Sequence, residues 1–128
     1  MKKIIIEFIP HSEQRFLGSL GGDWYFDSND NLVIRCSDMQ DWRYNFLLAR
    51  HEMDEAILCR HVGITTEMVD ADELKSTDSD DPDSFSGYPD SCYQNQHNDA
   101  LSAEWIMSRL LNVDWKDYAD KFESLSKK

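Results

Sequence analysis

The residues Leu32-Val33-Ile34-Arg35-Cys36-Ser37-Asp38 carry the chain from a β-branched run straight into Met39 and a long segment of helical periodicity that stops at Val62, before Gly63. A short run dominated by Val, Ile and Leu reads as a strand. Ser37-Asp38 then offers an N-cap, and Gly63 can take the left-handed position that closes a helix. The junction predicts a strand feeding a long helix over about residues 39–62.

Working outward, Asp23-Trp24-Tyr25-Phe26 and Leu32-Val33-Ile34-Arg35-Cys36 flank the turn-rich Asp27-Ser28-Asn29-Asp30-Asn31, a hairpin signature. Ile4-Ile5-Ile6-Glu7-Phe8-Ile9, closed by Pro10, has the composition and length of a third strand. A polar stretch with Gly18, Gly21 and Gly22 follows it. No helix of crossover length separates the three segments, so they predict a small, mostly antiparallel sheet. Downstream, Thr65 or Thr66 caps a shorter helix through Leu74, with Glu67 in its first turn. Residues 76–92 hold two prolines and a glycine and read as a loop. Helices are expected over residues 94–111 and 114–124. The expected fold class is α+β: a small, mostly antiparallel three-stranded sheet packed on a long helix, followed by C-terminal helices. Residues 1–128 are read as one domain, made of a sheet region (1–37), the long helix (38–63), a short helix with an acidic loop (64–91) and C-terminal helices (92–128).

Composition supports a packed body. The chain has 128 residues, 41% of them hydrophobic, with six Phe, four Trp and five Tyr, enough apolar surface for a core despite the charge. The four tryptophans, Trp24, Trp42, Trp105 and Trp115, are expected as core anchors. A net charge of −12 repels phosphate backbones and anionic lipid, which argues against direct nucleic-acid backbone binding and accommodates a basic protein partner. The three cysteines are odd in number and lack a Cys-x-x-Cys spacing, which fits free thiols in a reducing cytoplasm and neither a disulfide framework nor a thiolate zinc site. The apolar N-terminal run is broken by Glu7 and has no small-residue cleavage site, so it reads as a strand instead of a signal peptide. No stretch approaches the roughly 20 apolar residues of a membrane span.

The acidity is uneven. Residues 64–91 hold nine acidic and one basic side chain, eight of the twelve net negative charges. Asp78, Asp80, Asp81 and Asp83 form a row of carboxylates there. Pro82 stands where a ligand of the EF-hand pattern belongs, and the required glycine and glutamate are missing, so a calcium loop is rejected. The row is either a solvated loop or a surface for a basic protein partner.

The chemistry concentrates on the long helix. His51-Glu52-Met53-Asp54-Glu55 places an imidazole and a carboxylate one turn apart, on a helix face that also carries Tyr44, Leu48, Leu58 and Cys59. The opposite face, Met39, Trp42, Phe46, Ala49, Met53 and Ile57, is expected to be the main core face. An i, i+4 pair can reach one cation, and the residue after the first ligand is placed to act on a bound water. His97, ahead of the apolar series Ala100, Leu101, Ala103, Ile106, Leu110 and Leu111, is the candidate third ligand. The reading is a metal site in which His51, Glu55 and His97 hold one divalent metal, zinc favoured by the mixed nitrogen and oxygen donors, with Glu52 as the catalytic candidate. Asp70 and Asp72 are secondary candidates near the end of the helix. A His and a Glu one turn apart also form ordinary ion pairs, and that structural reading stays open.

The pattern resembles the His-Glu-x-x-His helix of the zincin metallohydrolases, with Glu55 in place of the second histidine. A sheet whose last strand feeds the motif helix is similar to the minimal zincin arrangement over about residues 32–62. The likeness implies zinc, and hydrolysis. Two departures weigh against it: Asp54 puts a charge between the ligand positions, where it either pairs with Arg50 or faces water, and no downstream His-x-x-Gly-x-x-His or Glu-x-x-x-Asp pattern supplies a third ligand. With Gly-Asp-Trp at 22–24, Asp-Trp-Arg-Tyr at 41–44, Val-Asp-Ala at 69–71 and Asn-Val-Asp-Trp at 112–115, the chain also resembles small proteins of tailed bacteriophages and prophages. That likeness implies a phage accessory role in the host cytoplasm, including the inhibition of a basic host-defence or nucleic-acid-binding protein by an acidic, non-enzymatic binder.

Overall fold

The strand-to-helix junction forms, and the fold is α+β. The computed structural model describes residues 1–15, 21–77 and 91–125, with residues 73–77 as backbone alone. Among them lie β1 (Ile4–Ile9), a turn of 3-10 helix (His11–Glu13), β2 (Gly22–Phe26), β3 (Leu32–Ser37), α1 (Trp42–His61), α2 (Thr66–Thr77), α3 (Gln94–Leu110) and α4 (Trp115–Ser124).

The hairpin reads as expected, with β2 antiparallel to β3 and Trp24 opposite Ile34. Asp27 holds its turn, accepting from the Asn29 and Asn31 N–H groups at 2.9 Å each, while Asp30 takes a positive φ of 59°. The expectation of a mostly antiparallel sheet is corrected. The strand order is β1-β3-β2, and β1 pairs with β3 in parallel, Ile4 beside Leu32 through Ile9 beside Ser37. The absence of a crossover helix does not exclude a parallel pair here, because β2 lies between β1 and β3 in sequence and runs antiparallel to β3. Two reversals leave β3 parallel to β1. Gln14 ties down the connection from β1 to β2 from a buried position, donating to Gly21 O at 3.0 Å and to Ser37 Oγ at 3.0 Å. His11 Nδ1 meets the same hydroxyl at 2.8 Å.

The long helix starts later than predicted. Asp38 instead holds a turn, accepting from the Gln40 N–H at 2.8 Å, and Gln40 has a φ of 60° that no helix continues. Asp41 is the N-cap and accepts from the Arg43 N–H at 2.9 Å. The other end matches the reading. Gly63, at φ 82°, donates to Arg60 O and Ile64 donates to Cys59 O, the paired bonds of a Schellman closure. Asn112 closes α3 in the same way. Of the two candidate caps of α2, Thr65 is the one whose hydroxyl accepts from the Met68 N–H.

Central β3 carries the core, with Leu32, Ile34 and Cys36 fully buried beneath α1. Helix α1 is thereby held between the sheet and α3. Its buried residues are Leu47, Leu48, Ala49, His51, Glu52, Glu55, Ala56 and Cys59. The face expected as the main core is divided: Ala49 and, ahead of the helix, Met39 are buried and Met53 packs partly against the core, whereas Trp42 is 71% exposed and Phe46 and Ile57 also face outward. Trp24 is buried and Trp115 packs partly against the core, but Trp105 is exposed, so two of the four expected tryptophan anchors are surface residues. Cys36, Cys59 and Cys92 are free thiols, and burial pushes the Cys59 thiol up to about 12. No helix among the described residues is long and apolar enough to cross a membrane.

Candidate metal centre

The polar residues buried on α1 need partners, because a desolvated carboxylate or imidazolium is costly alone. Helix α3 supplies them. His97, Ala100, Glu104 and Ser108 recur on one face of α3, with Ala100, Glu104 and Ser108 buried. His97 Nδ1 lies 2.9 Å from Glu55 Oε2, and His51 Nε2 lies 3.3 Å from the same oxygen. One ligand atom from each of His51, Glu55 and His97 falls within 4.8 Å of the others, the first two residues buried and the third partly so. The structure brings together the three ligands expected from sequence.

Each of the two residues on α1 is fixed by a further contact. His51 Nδ1 meets Glu104 Oε1 at 2.7 Å, which leaves Nε2 directed toward Glu55. Tyr118 of α4 donates to Glu104 Oε2 at 2.5 Å. Trp24 of β2 donates its indole N–H to Glu55 Oε1 at 3.0 Å, leaving Oε2 for the two histidines. Ligating residues in metal sites are characteristically oriented by such outer hydrogen bonds. These three partners were missed from sequence. Glu104 had a signal, since it stands seven residues after His97, two turns along the same face; Trp24 and Tyr118 had none beyond their polar tips.

Hydrogen bonding opposes burial at both residues on α1. Burial alone would lower the His51 pKa, yet hydrogen bonds with Glu104 and Glu55 outweigh it and hold the imidazole well above its usual range. Burial would likewise raise the Glu55 carboxyl, but bonding to His51 and His97 brings it down to about 2. Glu52 is buried as well and its charge acts on His51.

Glu52 stands beside the ligands, in the wall of a cavity of about 200 Å³ that His51, His97 and Glu104 also line. It packs against Gly22, where an added Cβ would sit 2.2 Å from Glu52 Oε1, so a side chain at that position would displace the carboxylate. Other candidates go elsewhere. Asp54 pairs with Arg50 at 3.0 Å, the first of the two alternatives open to it. Asp70 pairs with Arg15 at 3.1 Å, and Asp72 accepts from the Cys92 N–H at 2.7 Å, so neither joins the cluster. Asp78, Asp80, Asp81 and Asp83 lie outside the described residues.

Glu104→Gln tests the outer contact to His51. If the three residues hold zinc, it is expected to weaken that binding by about 10–100-fold. Competition with a chromophoric chelator measures this, and unchanged affinity would show that Glu104 only fills space. Searches of family models, of curated proteins and of solved structures find no match to this chain.

Proposed function

We propose that this chain binds one divalent cation, zinc by preference, through His51, Glu55 and His97. The observation that carries the reading is the meeting of two imidazoles and a carboxylate, one ligand atom of each within 4.8 Å of the others, in a largely buried cluster. Zinc bonds of about 2.0–2.1 Å in tetrahedral array put neighbouring ligand atoms about 3.3 Å apart. The separations of 2.9 and 3.3 Å around Glu55 Oε2 lie close to that, and 3.3 Å is long for a hydrogen bond between charged groups. Mixed nitrogen and oxygen donors without thiolate suit zinc, with manganese or iron as the nearer competitors.

Zinc held by His51, Glu55 and His97 would supply Lewis acidity. The part played by the chain follows from its own groups: Glu104 holds His51 in one orientation, Trp24 holds Glu55, and Glu52 stands in the adjoining cavity wall as the residue able to accept a proton from a bound reactant. The activity supported is hydrolysis at that cavity, with Glu52 as base.

Elemental analysis of protein purified without a histidine tag is expected to find close to one zinc per chain. His51→Ala should remove most of it, and Glu52→Gln should leave it bound. Folded wild-type protein that takes up no metal from a zinc-containing buffer overturns the proposal.

A further inference from the structure

Strand β1 ends the sheet, and among the described residues it pairs with β3 alone. An edge strand offers a row of main-chain donors and acceptors on its open side. The Leu32 N–H donates to Lys3 O and the Asp38 N–H to Ile9 O, so the odd-numbered residues of β1 turn their main-chain groups toward β3. Ile4, Ile6 and Phe8 turn theirs to the open side. The side chains of the same three residues are apolar and exposed. They stand in register with Leu32, Ile34 and Cys36, on one face of the sheet, yet those three are fully buried while Ile4, Ile6 and Phe8 are 45, 44 and 45% exposed. The cause is the placement of α1, which packs mainly across β3 and β2.

Charge points to what pairs there. Residues 1–15 hold Lys2, Lys3 and Arg15 against Glu7 and Glu13, so this end of the sheet lacks the acidity of residues 64–91. The other face of the strand carries Lys3, Ile5 and Glu7, opposite charges on either side of an apolar residue. Neither Lys3 nor Glu7 takes part in an ion pair among the described residues, although Arg35 stands in register beside Glu7. A second copy running antiparallel along the open side, about a two-fold axis at Ile5, sets Lys3 of each chain opposite Glu7 of the other. Ile4 then lies opposite Ile6, and both are residues whose main-chain groups point outward. A slip of the pairing by two positions sets Glu7 or Lys3 against Ile5 and loses both ion pairs.

We propose that two copies of this chain associate through β1, pairing antiparallel about Ile5 so that their sheets become one. The inference goes beyond metal binding and does not depend on it.

Sedimentation velocity on the tag-free chain, run in chelator so that no metal bridges two copies, should show a dimer that forms with rising concentration between the micromolar and sub-millimolar ranges. Lys3→Glu should raise its dissociation constant about tenfold, because two like-charge pairs replace two opposite ones. Adding Glu7→Lys to that variant should restore the dimer. Ile6→Lys, at an exposed position, should weaken it with the circular dichroism unchanged. Cross-linking reads the register directly. Residues opposite one another in a non-hydrogen-bonded antiparallel pair lie about 4.5 Å apart at Cα, within disulfide reach. In a Cys92→Ser background, which removes the exposed thiol, Ile5→Cys should therefore join two chains under mild oxidation. Glu7→Cys should join to Lys3→Cys in a mixture and not to itself. A monomer at every concentration, a dimer unmoved by Lys3→Glu or by Ile6→Lys, or failure of Ile5→Cys to cross-link overturns the proposal.

Discussion

Adding zinc to chelator-treated protein is expected to raise the thermal midpoint by roughly 10 °C once free zinc stands about a hundredfold above its dissociation constant. A ligand that binds only the folded state stabilises it by about 2.7 kcal/mol at that ratio, and a domain of this size converts each kcal/mol into a few degrees. The gain has a local origin. In the metal-free cluster Glu55 bonds to both imidazoles and Glu104 to His51, and on the proposed reading a dication would take the place of the two contacts at Glu55 Oε2. His97→Ala should abolish the shift at the least structural cost, because His97 is the most exposed of the three proposed ligands. Magnesium should not replace zinc, since it demands an oxygen-rich octahedral shell. The measurement is a melting curve with and without zinc, repeated after chelation. Coincident curves at saturating zinc would sink the metal centre.

Much of this centre was legible from sequence because it rests on helical spacing. Positions i and i+4 on α1 fix His51 and Glu55 on one face whatever surrounds them. His97 was recognisable as the remaining histidine ahead of an apolar helix face. The orientation of α1 was legible only in part. Pattern reading assigns Met39, Trp42, Phe46, Ala49, Met53 and Ile57 to the core, and Met39 and Ala49 are buried there, yet Trp42, Phe46 and Ile57 are exposed while His51, Glu52 and Glu55 are buried. A buried polar face is an expense that the hydrophobic pattern does not anticipate, and such departures concentrate at functional sites. The same limit applies to α3, where Ile106 and Leu110 are exposed and Glu104 is buried. The parallel pairing of β1 was missed for a different reason. The β-character of Ile4–Ile9 is local, but its pairing beside β3 is between segments far apart in sequence, and no periodicity encodes it.

His51→Ala, measured in chelator, is expected to lower unfolding stability by about 3–5 kcal/mol, since breaking a buried ion pair strands its partners without compensation. Here two carboxylates lose a partner: Glu104, bound to Nδ1 and left with Tyr118, and Glu55, facing Nε2 and left with Trp24 and His97. Urea denaturation of wild type and variant gives the difference. Glu104→Gln in the His51→Ala background should recover part of the loss, because the neutral amide is cheaper to bury than an unpaired carboxylate. The pH dependence follows from the directions of the two shifts. Glu55 is held below its ordinary 4.5, at about 2, so its contribution is present above pH 4.5 and lost as pH falls toward 2. His51 is held above its ordinary 6.5, so its contribution is complete below 6.5 and lost as pH rises through the raised value. The deficit of His51→Ala should therefore be greatest between about pH 4.5 and 6.5 and shrink on either side. A deficit independent of pH would mean that His51 stabilises the fold by packing alone.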